Sequence, residues 1–253
     1  MARQISRIQK DASTTTVKIQ GGQLFNSFDP SLLSLTFWTR GSYSGVPWNT
    51  LASLGSSAGK SWISSGSDPS AGTALNGLVP ADFNGTTDDL GSASNITSLV
   101  TNTSGSLAVL FYARTAFADT GSTTWYDMPS LVSQTASSRI GLVFSDAGVR
   151  LGSFSGANFD SVAVACSTGA WHLAQAYWDA TTLNVRIDSG SWVQITRVVS
   201  LASDTIACGH DPDTNMHHFD GLMMEHIISD QVLSHSDFDN IVSYVNSRYA
   251  LSL

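Results

Sequence analysis

Polar and apolar residues alternate along much of this 253-residue chain, which is typical of β-strands with one buried face. In residues 106–113, for example, Leu107, Val109 and Phe111 fall on one side. Similar patterns predict strands at residues 14–19, 32–38, 81–85, 139–144, 149–154, 161–166, 171–178, 183–187 and 192–198. Most are separated by short turns such as residues 146–148, which suit hairpins. The pattern therefore predicts an all-β fold, a two-sheet antiparallel sandwich.

The last 35 residues predict one strand followed by one helix. Residues 222–228 form an apolar run too short for a helix and typical of a buried strand. Ser234 is a candidate N-cap, with Asp237 in the position that completes a capping box. The predicted helix carries an apolar stripe with helical spacing: Phe238, Ile241, Val242 and Val245.

Residues 41–80 are rich in Gly, Ser and Pro and show no helical period, which predicts a long loop region with at most a short strand near Trp62. Four aromatic residues are predicted in loops: Trp48, Trp62, Trp125 and Tyr126. Aromatic rings beside polar groups can stack on sugars, so these four are candidate glycan-binding residues. The alternative is that they cap the core or line an interface between subunits.

The low content of charged residues favours strands and turns over helices. Basic and acidic residues are also unevenly distributed along the chain. Charged residues make up 13 % of the sequence and the net charge is −8. Residues 1–22 carry a net +3, from Arg3, Arg7, Lys10 and Lys18 against one aspartate, whereas residues 23–253 carry −11. We therefore expect a basic N-terminal arm (1–22) that docks on an acidic protein surface, or a frayed terminus, and one acidic domain (23–253) that does not bind nucleic acid.

No apolar run is long enough for a transmembrane helix, and the N-terminus has no apolar core of a secretory signal, so we expect no membrane insertion. Cys166 and Cys208 could pair, although reduced thiols are the simpler expectation. Neighbouring Asp88 and Asp89 point apart on a strand, which favours turn-stabilising roles over catalysis.

Residues 209–218 gather histidines and aspartates. His210, Asp211, Asp213 and His217 are weak candidates for Zn²⁺ or Ca²⁺ ligands, because imidazoles and carboxylates are suitable donors. The alternative is an ordinary polar loop before the last strand. We expect no cofactor, with Ca²⁺ as the weak exception.

Three segments resemble the concanavalin A-like, laminin G-like jelly-roll superfamily: residues 80–90, residues 169–190 with Trp171-His172, and residues 219–249. The last of these resembles the bacterial and bacteriophage branch. The resemblance implies a jelly roll, and alternation along its strand predicts Trp171 in the core with His172 outside or at the groove. The superfamily's retaining glucanases need two glutamates. Glu225 is the only glutamate here, so that chemistry is excluded and we expect no enzyme.

A single module with a basic arm favours a structural protein of a bacteriophage virion: a capsid decoration, head-fibre or tail protein. Its expected partners are other virion proteins, further copies of itself and a host-surface glycan, and its expected location is the virion surface after assembly in the host cytoplasm. The alternative is a free carbohydrate-binding lectin of a bacterial glycan-utilisation system.

Overall fold

A computed structural model shows an all-β sandwich with one C-terminal helix. It describes residues 16–20, 23–27, 33, 35, 37–41, 62–63, 67–92, 104–115, 130–135, 138–145, 148–155, 158–197, 206–210 and 218–253. The elements are β1 (Thr16–Gln20), β2 (Gln23–Ser27), β3 (Phe37–Arg40), β4 (Trp62–Ile63), β5 (Ser70–Ala71), β6 (Ala81–Asn84), β7 (Leu90–Ser92), β8 (Gly105–Ala113), β9 (Ser130–Thr135), β10 (Ser138–Ser145), β11 (Gly148–Ser155), β12 (Asn158–Val164), β13 (Trp171–Trp178), β14 (Thr182–Ile187), β15 (Val193–Thr196), β16 (Ile206–Cys208), β17 (Asp220–Ser229) and α1 (His235–Tyr249).

Two antiparallel sheets form the sandwich. In the described part of the chain, the smaller sheet has the order β12-β11-β10-β9-β16-β7-β4. The larger sheet has the order β15-β14-β13-β8-β17-β6-β5, and β3 also pairs with β17. β1 and β2 form a separate hairpin.

The central strands of the larger sheet, β8 and β17, are buried on both faces. One face packs against the smaller sheet through residues such as Leu107, Val109 and Phe111, opposite Ile140 and Leu142. The other face, here called the outer face, packs against α1 through alternate strand positions: Ala108, Leu110, Leu173 and Ile227. Burial on both sides explains why residues 222–228 are apolar almost throughout rather than alternating.

The predicted closing helix is confirmed. Ser234 is its N-cap, and Asp237 completes the capping box by accepting from the Ser234 backbone amide at 3.0 Å. The predicted stripe is the buried face of α1. At the other end, Ala250 adopts a left-handed conformation with φ of 55° and closes the helix.

Several strands differ from the sequence prediction. β3 begins at Phe37, later than the predicted run from residue 32. β9 and β16 were not predicted, because their short segments carry no clear alternation and are specified by the neighbours with which they pair. The predicted arm boundary at residue 22 falls between the paired strands β1 and β2, and residues 1–15 lie outside the described part. The extent of the arm stays a prediction.

Among the described residues, the sole helix is too short and too polar to cross a membrane. Cys166 and Cys208 are both free thiols.

Candidate functional site

A row of four half-buried side chains crosses the outer face of the larger sheet. Register places Asp82 opposite Leu222, Leu222 opposite Tyr112, and Tyr112 opposite Trp171. The row thus takes one residue from each of β6, β17, β8 and β13, and we call it the outer row. Strands lie about 4.8 Å apart, so the row is about 14 Å long, enough for two or three sugar rings.

Two aromatic rings form one half of the outer row. The ring centroids of Tyr112 and Trp171 are 5.8 Å apart, and their planes are tilted by 58°. Both residues are half-buried, so each combines a packed ring with accessible surface. Such amphipathic rings can contact the apolar face of a sugar while nearby polar groups bind its hydroxyls.

Arg114, two residues beyond Tyr112, supplies the polar groups at the other half of the row. Its Nη2 donates to Asp82 at 2.5 Å, and its Nη1 donates to Asp220 at 3.1 Å and to the Phe83 carbonyl at 3.1 Å. Burial works against the charge, but the bonds to the two carboxylates outweigh it and raise the pKa of Arg114. Thr115 Oγ1 also donates to Asp220, at 3.0 Å. The result is a hydrogen-bonded, net-negative polar cluster beside two rings.

The sequence predicted Trp171 in the core of the sandwich and His172 outside it, and this assignment of faces was wrong. Trp171 lies on the outer face with Leu173, whereas His172 lies on the face toward the smaller sheet, 6.3 Å from Phe111 between ring centroids. The alternation itself was correct, but alternation does not say which face meets the second sheet. This reversal is what places a tryptophan in the outer row.

Trp62 does not have the accessible ring that a glycan-stacking residue needs. It lies in β4, is 1 % exposed, and donates from Nε1 to Thr39 Oγ1 at 3.0 Å. Its ring packs edge-on against the buried His226 at 5.1 Å. Trp62 is therefore a core residue, in agreement with the alternative reading. The other three candidate aromatics lie outside the described residues: Trp48, Trp125 and Tyr126.

The candidate metal loop is only partly described. His210 is buried, its ring stacks on His218 at 5.8 Å, and its Nε2 lies 3.6 Å from Asp89 Oδ2. Across the part of the chain that the structure describes, no three His, Cys, Asp or Glu side chains could hold a metal ion together. The remaining candidate ligands fall outside that part: Asp211, Asp213 and His217. The Zn²⁺ or Ca²⁺ hypothesis stays a prediction.

Asp88 has the predicted turn role. It accepts from the Asn84 backbone amide at 3.0 Å and from Asn84 Nδ2 at 2.9 Å, while Asn84 Oδ1 accepts from the amides of Thr86 and Thr87. These bonds close the turn between β6 and β7.

Glu225 is buried and paired, as three side chains donate hydrogen bonds to it. It is 0 % exposed, and it accepts from Trp38 Nε1 at 2.6 Å, Tyr244 at 2.9 Å and Tyr249 at 2.5 Å. Burial raises the pKa of Glu225, and these hydrogen bonds partly oppose the rise. A carboxyl group sealed between the sheet and α1 cannot reach a substrate, so its role is structural.

Comparisons with known proteins are consistent with this fold. No family model and no curated protein matches the sequence. Among solved structures, domain 4 of AbnA, a GH43 extracellular arabinanase from Geobacillus stearothermophilus in complex with arabinotriose, is similar with a TM-score of 0.63, 16 % identity, and coverage of 83 % of this chain and 98 % of that one.

Two further solved structures are also similar. The botulinum neurotoxin serotype D binding domain has a TM-score of 0.58 and 14 % identity, with 83 % of this chain and 50 % of that chain covered. A GH54 α-L-arabinofuranosidase has a TM-score of 0.57 and 11 % identity, with 79 % and 50 % covered. This chain therefore spans about half of each of those two. Identities this low establish the jelly-roll-like β-sandwich and nothing finer.

Proposed function

We propose that this chain is a bacteriophage virion structural protein, a capsid decoration, head-fibre or tail protein, that displays a glycan-binding β-sandwich. The observation that carries the binding role is the outer row, in which Tyr112 and Trp171 lie beside the Arg114 cluster. Its ligand is a glycan of the host surface. Bound copies would stabilise the particle or attach it to cells.

Binding rather than glycoside hydrolysis is the role that these residues support. Glycoside hydrolysis of the usual kind needs two carboxyl groups on either side of a sugar bond. Asp82 of the outer row and the neighbouring Asp220 are both paired with Arg114, and Glu225 is sealed in the core. The similar domain 4 of the arabinanase is in complex with arabinotriose, which adds support for a sugar ligand.

The virion role rests on the charge division and on the resemblance of β17 and α1 to the closing segment of the bacterial and bacteriophage branch. A basic arm (Arg3, Arg7, Lys10 and Lys18) next to an acidic body suits docking on an acidic protein shell. In this role the protein would assemble in the host cytoplasm as a homo-oligomer and contact other virion proteins. It would not bind nucleic acid.

A second candidate is a free carbohydrate-binding lectin or module of a bacterial glycan-utilisation system. The outer row serves that role equally well. The two candidates differ in one observable: a virion protein remains with purified particles through a density gradient, and a free lectin does not.

Trp171→Ala should weaken glycan binding by at least tenfold, because removing a sugar-stacking ring costs about 1.4 kcal/mol or more. The measurement is a glycan array on the wild-type protein, followed by titration calorimetry with the glycan that binds best. Arg114→Ala should also weaken binding, since it releases Asp82 and Asp220 from their positions.

Trp192→Ala is the matched control for that experiment. Trp192 is also half-buried, but it lies by α1, stacked on His235 at 5.0 Å. Its removal should leave the affinity unchanged. Equal losses in both tryptophan variants, or no glycan bound by the wild type, would exclude the outer row as a glycan site.

Deletion of residues 1–15 should abolish attachment to particles while leaving the hairpin β1–β2 and the sandwich intact. We expect the same loss for the triple change Arg3→Glu, Arg7→Glu and Lys10→Glu, because docking on an acidic surface depends on charge. The measurement is co-sedimentation of added protein with particles that lack it, at low and at high salt. Attachment that survives both changes would show that the arm does not dock.

A further inference from the structure

Three side chains at the rim of the sandwich form a continuous hydrogen-bonded chain that starts at the exposed Ser167. Ser167 Oγ lies 3.0 Å from His172 Nε2, and His172 Nδ1 lies 2.8 Å from Asp188 Oδ2. Ser167 is in the loop before β13, His172 is the second residue of β13, and Asp188 directly follows β14. A hydroxyl, an imidazole and a carboxylate in this order and at these distances have the geometry of a nucleophile, its base and the group that orients the base.

The backbone holds the carboxylate end of this chain in place. Asp188 adopts a left-handed conformation with φ of 55°, which turns its side chain back toward β13. Its Oδ1 accepts from the Leu173 amide at 2.8 Å, and its own amide donates to the Leu173 carbonyl at 2.9 Å. The other carboxylate oxygen, Oδ2, contacts His172 Nδ1. The imidazole is therefore oriented by a carboxylate that is itself held by the backbone.

The loop that carries Ser167 is anchored as well. Gly169 has a φ of 75° and donates its amide to the Ala113 carbonyl at 2.9 Å, which ties the loop to the end of β8. Ser167 is exposed, whereas the side chains of His172 and Asp188 are 15 % and 22 % exposed. The hydroxyl is thus accessible to a substrate, while the imidazole is largely shielded from solvent.

The neighbouring thiol does not compete with the serine. Burial, with a smaller effect of the Asp188 charge, raises the pKa of Cys166 to about 12. Cys166 is therefore a protonated thiol at neutral pH, and a thiol is a poor nucleophile compared with a thiolate.

We propose that Ser167, His172 and Asp188 form an acyl-transfer centre in which carboxylic esters acylate Ser167. The activity is separate from glycan binding at the outer row and does not depend on it. It is also distinct from glycoside hydrolysis, since the bond cleaved is that of an ester.

In the proposed step, Ser167 Oγ forms a bond to the ester carbonyl carbon while His172 Nε2 takes the hydroxyl proton. The bond from that carbon to the alcohol oxygen then breaks, and His172 returns the proton to the leaving alcohol. Water releases the acyl group from Ser167 in a second step as the carboxylic acid. Asp188 is a positioning residue that accepts from Nδ1–H and keeps Nε2 unprotonated and ready to act as the base.

Asp188→Asn separates catalysis from structure. An asparagine tolerates the left-handed conformation, and its Oδ1 can still accept from the Leu173 amide. Its Nδ2 would donate to His172 Nδ1, which moves the imidazole proton to Nε2 and removes the base. We expect labelling of Ser167 by a fluorophosphonate to slow by at least about 100-fold with the thermal midpoint unchanged.

The experiment treats the full chain with a fluorophosphonate and locates the label by peptide mass spectrometry, with release of p-nitrophenolate from p-nitrophenyl acetate as a second readout. Ser167→Ala should abolish the label and lower the release to the background rate. His172→Phe, which keeps a ring beside Phe111, should do the same. Exposed Ser189, next to Asp188, provides the matched control: Ser189→Ala should label as the wild type does.

Two results would overturn the proposal. One is a wild-type label that is absent from Ser167 or spread equally over Ser189. The other is equal p-nitrophenolate release by the wild type and by Ser167→Ala, because an exposed serine variant folds normally and would show any loss.

Discussion

Glu225→Ala lowers the free energy of unfolding by about 3–5 kcal/mol, because it leaves three buried donors without their acceptor. Those donors are Trp38 Nε1, the Tyr244 hydroxyl and the Tyr249 hydroxyl. Burial, followed by the Glu225 charge, raises the pKa of both tyrosines, so they keep their protons and remain donors. The loss would fall on the contact between α1, β3 and β17, and urea unfolding measures it.

Glu225→Gln is the matched variant, and we expect a smaller loss of about 1–3 kcal/mol. The amide oxygen can still accept from both tyrosines, but the amide nitrogen would face the donor Nε1 of Trp38. If Glu225→Gln is as unstable as Glu225→Ala, the negative charge of Glu225, rather than its hydrogen bonds, stabilises the packing of α1 on the sheet.

The pH dependence of the free energy of unfolding provides a second test of Glu225. Its pKa is raised above the ordinary 4.5, so the folded protein binds this proton more tightly than the unfolded chain does. The contribution of Glu225 to stability is therefore full below pH 4.5 and is lost as the pH rises through the folded pKa. Both variants should lack this component, so the difference in stability between wild type and variant should shrink as the pH rises.

The stability of the wild type must be compared with that of the variants at each pH, because His226 changes stability with pH in the opposite sense. Burial lowers the pKa of His226 to about 3, so its contribution to stability is present above the ordinary 6.5 and is lost as the pH falls toward 3. His226 is unchanged in wild type and variants, and subtraction removes it. A difference that does not vary with pH would contradict the raised pKa of Glu225.

Phe238→Ala lowers the free energy of unfolding by about 3–5 kcal/mol through the cavity it leaves under α1. Phe238 is 0 % exposed and packs edge-on against Trp192 at 5.0 Å and tilted against Tyr177 at 6.1 Å. Its backbone carbonyl accepts from Gln175 Nε2 at 3.1 Å, so the helix is also pinned to β13 at this residue. Thermal and urea unfolding measure the loss.

Ser243→Ala is the control on the same helix. Ser243 is exposed and donates only to the carbonyl of Asp239, one turn earlier, so its loss should change stability by no more than about 0.5 kcal/mol. Comparable losses in the two variants would mean that α1 contributes through its own helical stability and not through packing on the sheet.

The closing helix was predictable because its signals are local. The Ser234–Asp237 capping box and the stripe from Phe238 to Val245 lie within twelve residues, and each acts on its neighbours in the chain. The strands with strong alternation, such as β8 and β13, were predictable for the same reason. The single glutamate likewise excludes a two-glutamate mechanism whatever the fold.

The outer row was not predictable, because residues that lie opposite each other in it are 59 to 140 positions apart along the chain. Tyr112 looked like the end of an ordinary strand, and Trp171 looked like a core residue. Strand order decided that they are neighbours. The Ser167–His172–Asp188 chain depends likewise on the pairing of β13 with β14.

The sequence by itself determined that this protein is a β-sandwich closed by a capped helix, since period-two alternation, turn residues and caps act over a few residues. Tertiary structure alone decided which face of each strand is inside, that Trp62 and Glu225 are buried, and which side chains meet at the outer row. Those outcomes depend on pairings between distant strands, and a shift of one residue in register or a change in sheet order would alter them without changing any local pattern.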